Sequence, residues 1–298
     1  MSKLISLSEA VQAYVHDGDL VYAAGFTHLI PFAAGHEIIR QGRKDLILAR
    51  ATPDLIYDLM IAAGCAKKVV FSYSGNPGVG SLKWLRSAME EGSLEWEEYS
   101  HFSMISRLQA GASGLPFMPM KQTGATDLER VNPNYKRVTD PYTGEEVIVV
   151  PPLLPDVAIV HVQRADVHGN AHIWGILGEQ KEAAFASKHV ILTAEEIVSE
   201  EVIRSDPNRT LIPGLVVDCY GDYLVMGVGT VGVERRREEI VAALAAVSNP
   251  RGILERSEGP ARRLEGLEER RETVWGEEPP AAIAIRENGL VFDVDVHD

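Results

Sequence analysis

The sequence predicts an α/β protein with an open, mainly parallel sheet and helices on both faces. Apolar runs of strand length alternate with segments of helical period through roughly the first 75 residues, and this β-α-β-α-β order is typical of parallel sheets with crossover helices. A glycine-rich loop follows the third apolar run at once. Such loops at strand ends are where parallel sheets bind ligands.

The predicted elements follow one another closely. Strands are predicted at residues 20–24, 46–51 and 68–73, and helices at 32–40, 53–63 and 82–90. Thr52 is the predicted N-cap of the second helix. After a polar excursion at 121–151, the strand pattern resumes at 157–162, 171–174 and 190–193.

The composition limits the classes of function. The chain has 298 residues with 45% hydrophobic and 24% charged side chains, which is close to the average of globular proteins. A net charge of −14 disfavours nucleic acid as a partner, because such binding normally needs a basic face. No apolar run is long enough to span a membrane, and no signal peptide is recognisable at the N-terminus, so we expect a cytoplasmic protein.

The cysteines and histidines predict no metal site. Cys65 and Cys219 form no C-x-x-C unit, so we expect buried free thiols and no disulfide framework. His161, His168 and His172 cluster in the sequence, but no nearby cysteine or acid pair completes a ligand set.

Several short segments occur together in a characteristic order. The longest is 108–117, Leu-Gln-Ala-Gly-Ala-Ser-Gly-Leu-Pro-Phe, preceded by Glu98 and Arg107. The others are 17–18, 25–26, 164–170, 180–185, 195–198, 205–209 and 212–218. In this order they resemble the α subunits of family I coenzyme A (CoA) transferases, with those of glutaconate CoA-transferase as the nearest likeness. The resemblance covers roughly residues 1–218.

This resemblance implies transfer of CoA from an acyl-CoA to a small carboxylic or dicarboxylic acid, with no tightly bound cofactor. It also implies a partner β subunit, in an α2β2 assembly, whose glutamate forms the glutamyl-CoA thioester within a Ser-Glu-Asn-Gly-like motif. The Glu-Asn-Gly at 287–289 follows Arg286, not serine, and Asn-Gly there is typical of a hairpin turn. No catalytic residue is therefore predicted in this chain.

Two strand-end loops are predicted to bind the substrate. The first is Gly25-Phe26-Thr27-His28, after the first strand. The second is the glycine-rich loop, whose backbone N–H groups and hydroxyls suit a carboxylate. Its candidate residues are Ser72, Ser74, Gly75, Gly78, Gly80 and Ser81.

His101 is the remaining candidate for substrate binding. Related steroid-degrading CoA hydrolases use a glutamate of their α-type subunit in this neighbourhood, and the matching position here is histidine. The transferase interpretation is therefore favoured over the hydrolase alternative. The structural alternative for His101 is an ordinary histidine at the start of a helix.

The end of the chain leaves two further alternatives open. Residues 227–232 read G-x-G-x-x-G, and Glu255 lies beyond them near where a ribose-binding acid would be, which is the pattern of a nicotinamide- or flavin-dependent oxidoreductase. The family's Pro-Tyr-Gly-Ala-His stretch is missing after residue 218. We therefore expect a transferase domain at 1–218 and a divergent portion at 219–298 that packs on it, and a non-catalytic subunit is the third alternative.

Overall fold

A computed structural model describes residues 3–76, 78–121, 127–212, 217–220, 222–227, 234, 236–257, 267–287 and 290–297. The chain divides into two compact units, Lys3–Ile212 and Pro213–Asp298 with Met1–Ser2. The domain division after residue 218 and the packing of the last portion remain predictions.

The larger unit alternates helices and strands along the chain. Its helices are α1 (Leu7–Tyr14), α2 (Phe32–Arg40), α3 (Leu55–Ala62), α4 (Lys83–Glu90), α5 (His101–Ala112), α6 (Leu128–Val131), α7 (Gln180–Ala186) and α8 (Glu200–Arg204). Its strands are β1 (Leu20–Ala23), β2 (Leu46–Ala49), β3 (Ala66–Phe71), β4 (Glu95–Glu98), β5 (Met118–Met120), β6 (Lys136–Thr139), β7 (Glu146–Val150), β8 (Val157–Ala165), β9 (Ala171–His172), β10 (His189–Ile197) and β11 (Thr210–Ile212).

The main sheet runs in the order β11-β9-β8-β1-β2-β3-β4, with β10 paired to β8. The pairs β1–β2, β2–β3, β3–β4, β1–β8 and β8–β10 are parallel, whereas β9 pairs antiparallel with β8 and with β11. The predicted excursion forms a separate antiparallel sheet, β5-β7-β6. The mainly parallel α/β fold is therefore confirmed.

Each face of the main sheet buries its own cluster of side chains. Because successive residues of a strand point to opposite faces, Tyr22 joins one cluster and Val21 the other. Met104 and Leu108 of α5 and the alanines of α7 pack in the first cluster. Residues of α1, α2 and α3 pack in the second. Helices thus cover both faces, as the sequence predicts.

The start of α3 corrects one prediction. Asp54, not Thr52, is its N-cap, and the Asp54 carboxylate accepts a hydrogen bond from the Leu55 amide at 2.5 Å. Both residue types are good N-caps, so the local pattern could not separate them. The Thr52 hydroxyl instead lies 2.8 Å from the Nε2 atom of His101.

The smaller unit has its own sheet and core. Its elements are β12 (Val217–Tyr220), β13 (Tyr223–Met226), α9 (Arg237–Ser248), β14 (Gly252–Ser257), β15 (Arg270–Gly276), β16 (Ile283–Glu287) and β17 (Leu290–Val294). The sheet order is β12-β13-β14-β15, with β13 and β14 parallel across α9. Leu224, Met226 and Ile253 pack against Val241 and Ala245 of α9.

The last two strands form an antiparallel hairpin in which Glu287 lies opposite Leu290. This antiparallel pairing is the one that the predicted hairpin requires, and its turn residues 288 and 289 lie outside the described residues. Elsewhere, Cys65 is a buried free thiol. No helix in the described part of the chain has the length and apolar character needed to cross a membrane.

Candidate functional site

The carboxyl ends of three neighbouring parallel strands form the candidate site. β1, β2 and β3 are adjacent and parallel, so the loops that follow them emerge at the same edge of the sheet. These loops are 24–31, 50–54 and 72–82. Crevices at this edge are the usual ligand site of open α/β sheets.

His101 links the ends of β2 and β3. It is the first residue of α5, where the Ser100 hydroxyl caps the helix by accepting a hydrogen bond from the Ser103 amide at 3.0 Å. The His101 Nδ1 atom lies 2.9 Å from the Ser72 hydroxyl oxygen, which itself donates to the Ala51 carbonyl at 2.5 Å. Since that hydroxyl hydrogen is used, Nδ1 carries the proton and Nε2 accepts from Thr52. The exposed ring is held in one orientation.

The loop after β1 is tightly constrained. Gly25 has φ +143°, and a Cβ atom there would lie 2.7 Å from the Leu29 carbonyl oxygen. Thr27 and Leu29 both adopt positive φ angles, 60° and 55°, which cost non-glycine residues energy and cluster at functional sites. The His28 amide donates to the Phe26 carbonyl at 2.7 Å. The predicted segment 25–28 is therefore a rigid, strained loop.

The glycine-rich loop is organised by Asn76, which the sequence pattern did not single out. Its backbone exchanges hydrogen bonds with Gly80 at 2.9 and 2.7 Å. Its side-chain amide donates to Asp54 at 2.9 Å, and its side-chain oxygen accepts from the Gly78 amide at 2.8 Å. Gly78, Gly80 and Ser81 are exposed. Thus the loop is tied to the start of α3 and exposes Gly78 and Gly80, whereas Gly75 is buried.

Two buried polar residues near these loops, Arg50 and Glu179, were not among the candidates from the sequence. Arg50, only 1% exposed, donates from Nη2 to the Gly25 carbonyl at 2.5 Å. Glu179, 2% exposed, accepts a hydrogen bond from the Tyr22 hydroxyl at 2.9 Å. Burial raises the pKa of the Glu179 carboxyl, while the Tyr22 hydroxyl and the positive charge of Arg50 act in the opposite direction. The sequence signal that could have identified this pair is Arg50, a charged residue inside the apolar strand pattern at 46–51.

The predicted site residues lie at the ends of neighbouring strands of the sheet. The structure joins Ser72 to His101 directly and sets Gly25-Phe26-Thr27-His28 at the neighbouring strand end. Ser74 and Gly75 continue from Ser72, and the Gly75 amide donates to the Pro53 carbonyl at 3.3 Å. No hydrogen bond from the Ser74 or Ser81 hydroxyl is found among the described residues.

The other candidate sites find little support. His161 Nδ1 lies 2.9 Å from the Thr193 hydroxyl, and His172 Nε2 lies 2.9 Å from the Ile203 carbonyl. Within the described ranges, no three His, Cys, Asp or Glu residues are grouped to hold a metal ion. The G-x-G-x-x-G stretch lies outside the described residues from position 228. Glu255, its expected ribose ligand, is fully buried and pairs with Arg237.

Comparison with known proteins identifies relatives of the larger unit. Residues 4–219 match the family described as Coenzyme A transferase. The chain is 53% identical over 216 residues to the A subunit of 3-oxoadipate CoA-transferase from Pseudomonas knackmussii, covering 72% of this chain and 76% of that one. It is 36% identical over 254 residues to the A subunit of glutaconate CoA-transferase from Acidaminococcus fermentans, covering 75% and 79%.

The fold agrees with these sequence matches. The crystal structure of glutaconate coenzyme A-transferase from A. fermentans aligns with a TM-score of 0.68 at 34% identity, over 72% of this chain and 73% of that one. A further match is of another kind. A segment of 87 residues, which is 29% of this chain, is 40% identical to ribosomal RNA large subunit methyltransferase I of Pseudoalteromonas translucida. It covers 22% of that protein.

Proposed function

The chain belongs to the coenzyme A transferase family, whose members move CoA between an acyl-CoA and a carboxylate, and we propose that its acceptor is a dicarboxylic acid. It is an α-type chain, since both CoA-transferase relatives are the A subunits of their enzymes. A second subunit is therefore implied. The acids in the names of these relatives, 3-oxoadipate and glutaconate, are both dicarboxylates, which supports the acceptor class.

We further propose a division of labour between the subunits. The partner supplies the glutamate that forms the glutamyl-CoA thioester, and this chain supplies the pocket for the acid. The convergence of His101, Ser72 and the loop 25–28 at one sheet edge carries this proposal. An α2β2 assembly and a cytoplasmic location belong to the same proposal.

The pocket residues act by positioning the acid and excluding water. The hydroxyls of Ser74 and Ser81 can donate hydrogen bonds to a carboxylate, whereas the Gly78 and Gly80 amides are already bonded to Asn76 and serve to shape the loop. Holding the acid close to the thioester converts a bimolecular step into an effectively unimolecular one. Excluding water lets transfer compete with hydrolysis.

Transfer is favoured over hydrolysis by the state of His101. Its two ring nitrogens are both engaged, one with Ser72 and one with Thr52. A water molecule could reach the Nε2 atom only in place of the Thr52 hydroxyl, so this arrangement disfavours activation of water by the ring.

The proposal is tested by kinetics on the chain co-purified with its partner subunit. We expect acetyl-CoA or succinyl-CoA to transfer CoA to glutarate or adipate faster than either thioester is hydrolysed. Release of free CoA at the same rate with and without the acid would identify a hydrolase and overturn the proposal.

For the smaller unit, we propose a separate origin and no role in CoA transfer. The Coenzyme A transferase match ends at residue 219, close to the start of the unit Pro213–Asp298. This unit is about as long as the 87 residues that match the ribosomal RNA methyltransferase. It also has its own sheet and core around Ile253. We therefore infer that the methyltransferase likeness lies there.

A further inference from the structure

Arg50 carries a buried positive charge that forms no ion pair among the described residues. Its Nη2 atom binds the Gly25 carbonyl, which is a neutral acceptor. The Nε and Nη1 atoms are buried and have no hydrogen-bond partner among the described residues. Among the described residues, no carboxylate oxygen lies within 4.0 Å of the Arg50 guanidinium, the limit for an ion pair.

Such an arrangement is costly unless something else completes it. A buried charge without a partner costs several kcal/mol in proteins, and each unpaired buried donor adds a further penalty. Glu179 is close enough to interact with Arg50 electrostatically, but its carboxylate is hydrogen-bonded to Tyr22. Burial also favours the neutral form of Glu179, which weakens it as a counter-charge. The Nε and Nη1 donors of Arg50 are therefore free to bind an anion from outside the chain.

Other unpartnered polar atoms lie around the same loop. Within the described ranges, the His28 Nε2 atom and the Gln180 Nε2 atom are buried without hydrogen-bond partners. His28 belongs to the loop whose first residue, Gly25, binds Arg50. Gln180 accepts from the Gly178 amide at 2.7 Å, and a Cβ atom on Gly178 would lie 2.7 Å from the Phe26 Cβ atom. The Gly178 backbone therefore packs directly against Phe26 of the loop 25–28.

We propose that Arg50, with the unpaired polar atoms of His28 and Gln180, binds the carboxylate of the acceptor acid that does not react with CoA. This inference rests on the proposed function and adds the residue that selects a dicarboxylate. Arg50 lies two residues before Thr52, whose hydroxyl contacts His101. The reacting carboxylate would lie nearer the surface, at the strand-end loop that carries the Ser74 hydroxyl, and the distal one would lie deeper, at Arg50.

The chemistry favours a carboxylate here. Arginine is the usual choice for carboxylates because its planar guanidinium offers several fixed N–H donors. The other anions in the reaction are the phosphates of CoA, so the experiment separates the two sources. A purely structural arginine that only holds Gly25 is the remaining explanation, and it predicts no preference between acids.

The test compares adipate with hexanoate, acids of equal length with and without a distal carboxylate, in the complex with the partner subunit. We expect wild type to bind adipate on the order of 10- to 100-fold more tightly, the range of a charge-assisted contact. Arg50→Gln should reduce this preference by the same factor through the KM for adipate, without raising the KM for the acyl-CoA when the donor is acetyl-CoA, which has no distal carboxylate. Arg50→Lys should restore part of it.

Arg107 provides the matched control, because it is also buried but has partners within the protein. It donates to the Pro151 carbonyl at 3.1 Å and lies 3.5 Å from Glu97. Arg107→Gln should therefore affect both acids equally. Equal affinity of wild type for the two acids would overturn the inference even if no Arg50 variant folds. A rise only in the KM for the acyl-CoA would also overturn it. If the complex transfers CoA to no acid at all, the proposed function itself fails.

Discussion

The Nδ1 atom of His101 lies 2.9 Å from the hydroxyl oxygen of Ser72, which joins the start of α5 to the end of β3. These two residues are 29 positions apart in the chain. Thr52 completes the arrangement from the end of β2, 2.8 Å from Nε2. The ring orientation is therefore set by two hydroxyls from two adjacent strands.

Removing the Ser72 hydroxyl should release one side of the His101 ring. We expect Ser72→Ala to lower kcat/KM for the acceptor acid by about 10- to 100-fold, because small misplacements of positioning groups have effects of that order. Steady-state kinetics of the complex with its partner measures this. The melting temperature should change little, since Ser72 is only half-buried.

Ser93→Ala is the matched control for Ser72→Ala. The Ser93 hydroxyl donates to the Ala88 carbonyl at 3.3 Å just after α4 and is exposed. Its removal should leave the kinetics unchanged. Wild-type kinetics in Ser72→Ala would show that the contact between Ser72 and His101 is not used in binding the acid.

The loop after β1 should tolerate no side chain at its first residue. Gly25→Ala would bring a Cβ atom within 2.7 Å of the Leu29 carbonyl oxygen at φ +143°. We expect it to lower the free energy of unfolding by about 1–3 kcal/mol and to raise the KM for the acid by about tenfold. Urea denaturation and kinetics measure the two effects.

Gly92→Ala separates strain from steric contact. Gly92 also has a positive φ, +70°, but a Cβ atom there would meet nothing within 4 Å. We expect a loss of about 1–2 kcal/mol for the left-handed conformation and no change in the KM for the acid. Equal kinetics for the two variants would contradict the role of the loop 25–28.

Local sequence patterns predicted the framework of the larger unit well. Helix 32–40 was predicted with its observed bounds, because its apolar face and its end are encoded within a few residues. The N-cap of α3 was missed for the opposite reason. Thr52 and Asp54 are both suitable caps, but the Thr52 hydroxyl is hydrogen-bonded to the ring of His101, 49 positions away. Contacts of that separation leave no local trace.

The buried part of the site was not predictable in the same way. Arg50 and Glu179 come from distant parts of the chain, and only the fold brings them within electrostatic reach. The parallel pair β13–β14 with α9 between them resembles a nucleotide-binding unit in its sequence pattern. Glu255, the ribose ligand that this pattern predicts, is fully buried and its carboxylate pairs with Arg237.

The stability of the larger unit should depend on pH through Glu97. Burial alone would raise the pKa of its carboxyl, but Lys68, Tyr99 and Arg107 outweigh burial and lower the pKa. Because the pKa is lower in the folded state, this stability is complete above the unfolded pKa of about 4.3. It is lost as the pH falls through the folded value. Glu97→Gln should cost about 1–3 kcal/mol at neutral pH, and less below about pH 4.

Urea denaturation at neutral and acid pH checks this dependence. Glu90→Gln is the control, because Glu90 is 71% exposed and lies 3.7 Å from Arg86 one turn away on α4. Exposed pairs of this kind contribute little. A difference between wild type and Glu97→Gln that stays constant with pH would contradict the assignment.

The smaller unit should be dispensable for catalysis. Ile253 is fully buried in the core of that unit, so Ile253→Asp should remove its melting transition, because an unpaired charge in a core is strongly destabilising. CoA transfer by the complex should be unchanged. By comparison, Ile159→Asp, in the core of the larger unit, should abolish it. Loss of transfer in Ile253→Asp would show that the unit takes part.

The most direct test of the central claim is to trap the covalent intermediate in the co-purified complex. The complex is incubated with acyl-CoA alone, treated with borohydride to reduce any glutamyl thioester, and digested for mass spectrometry. The account predicts one reduced glutamate, located in the partner subunit, and none in this chain. A reduced glutamate in this chain, or no acyl-CoA-dependent labelling in either subunit, would contradict it.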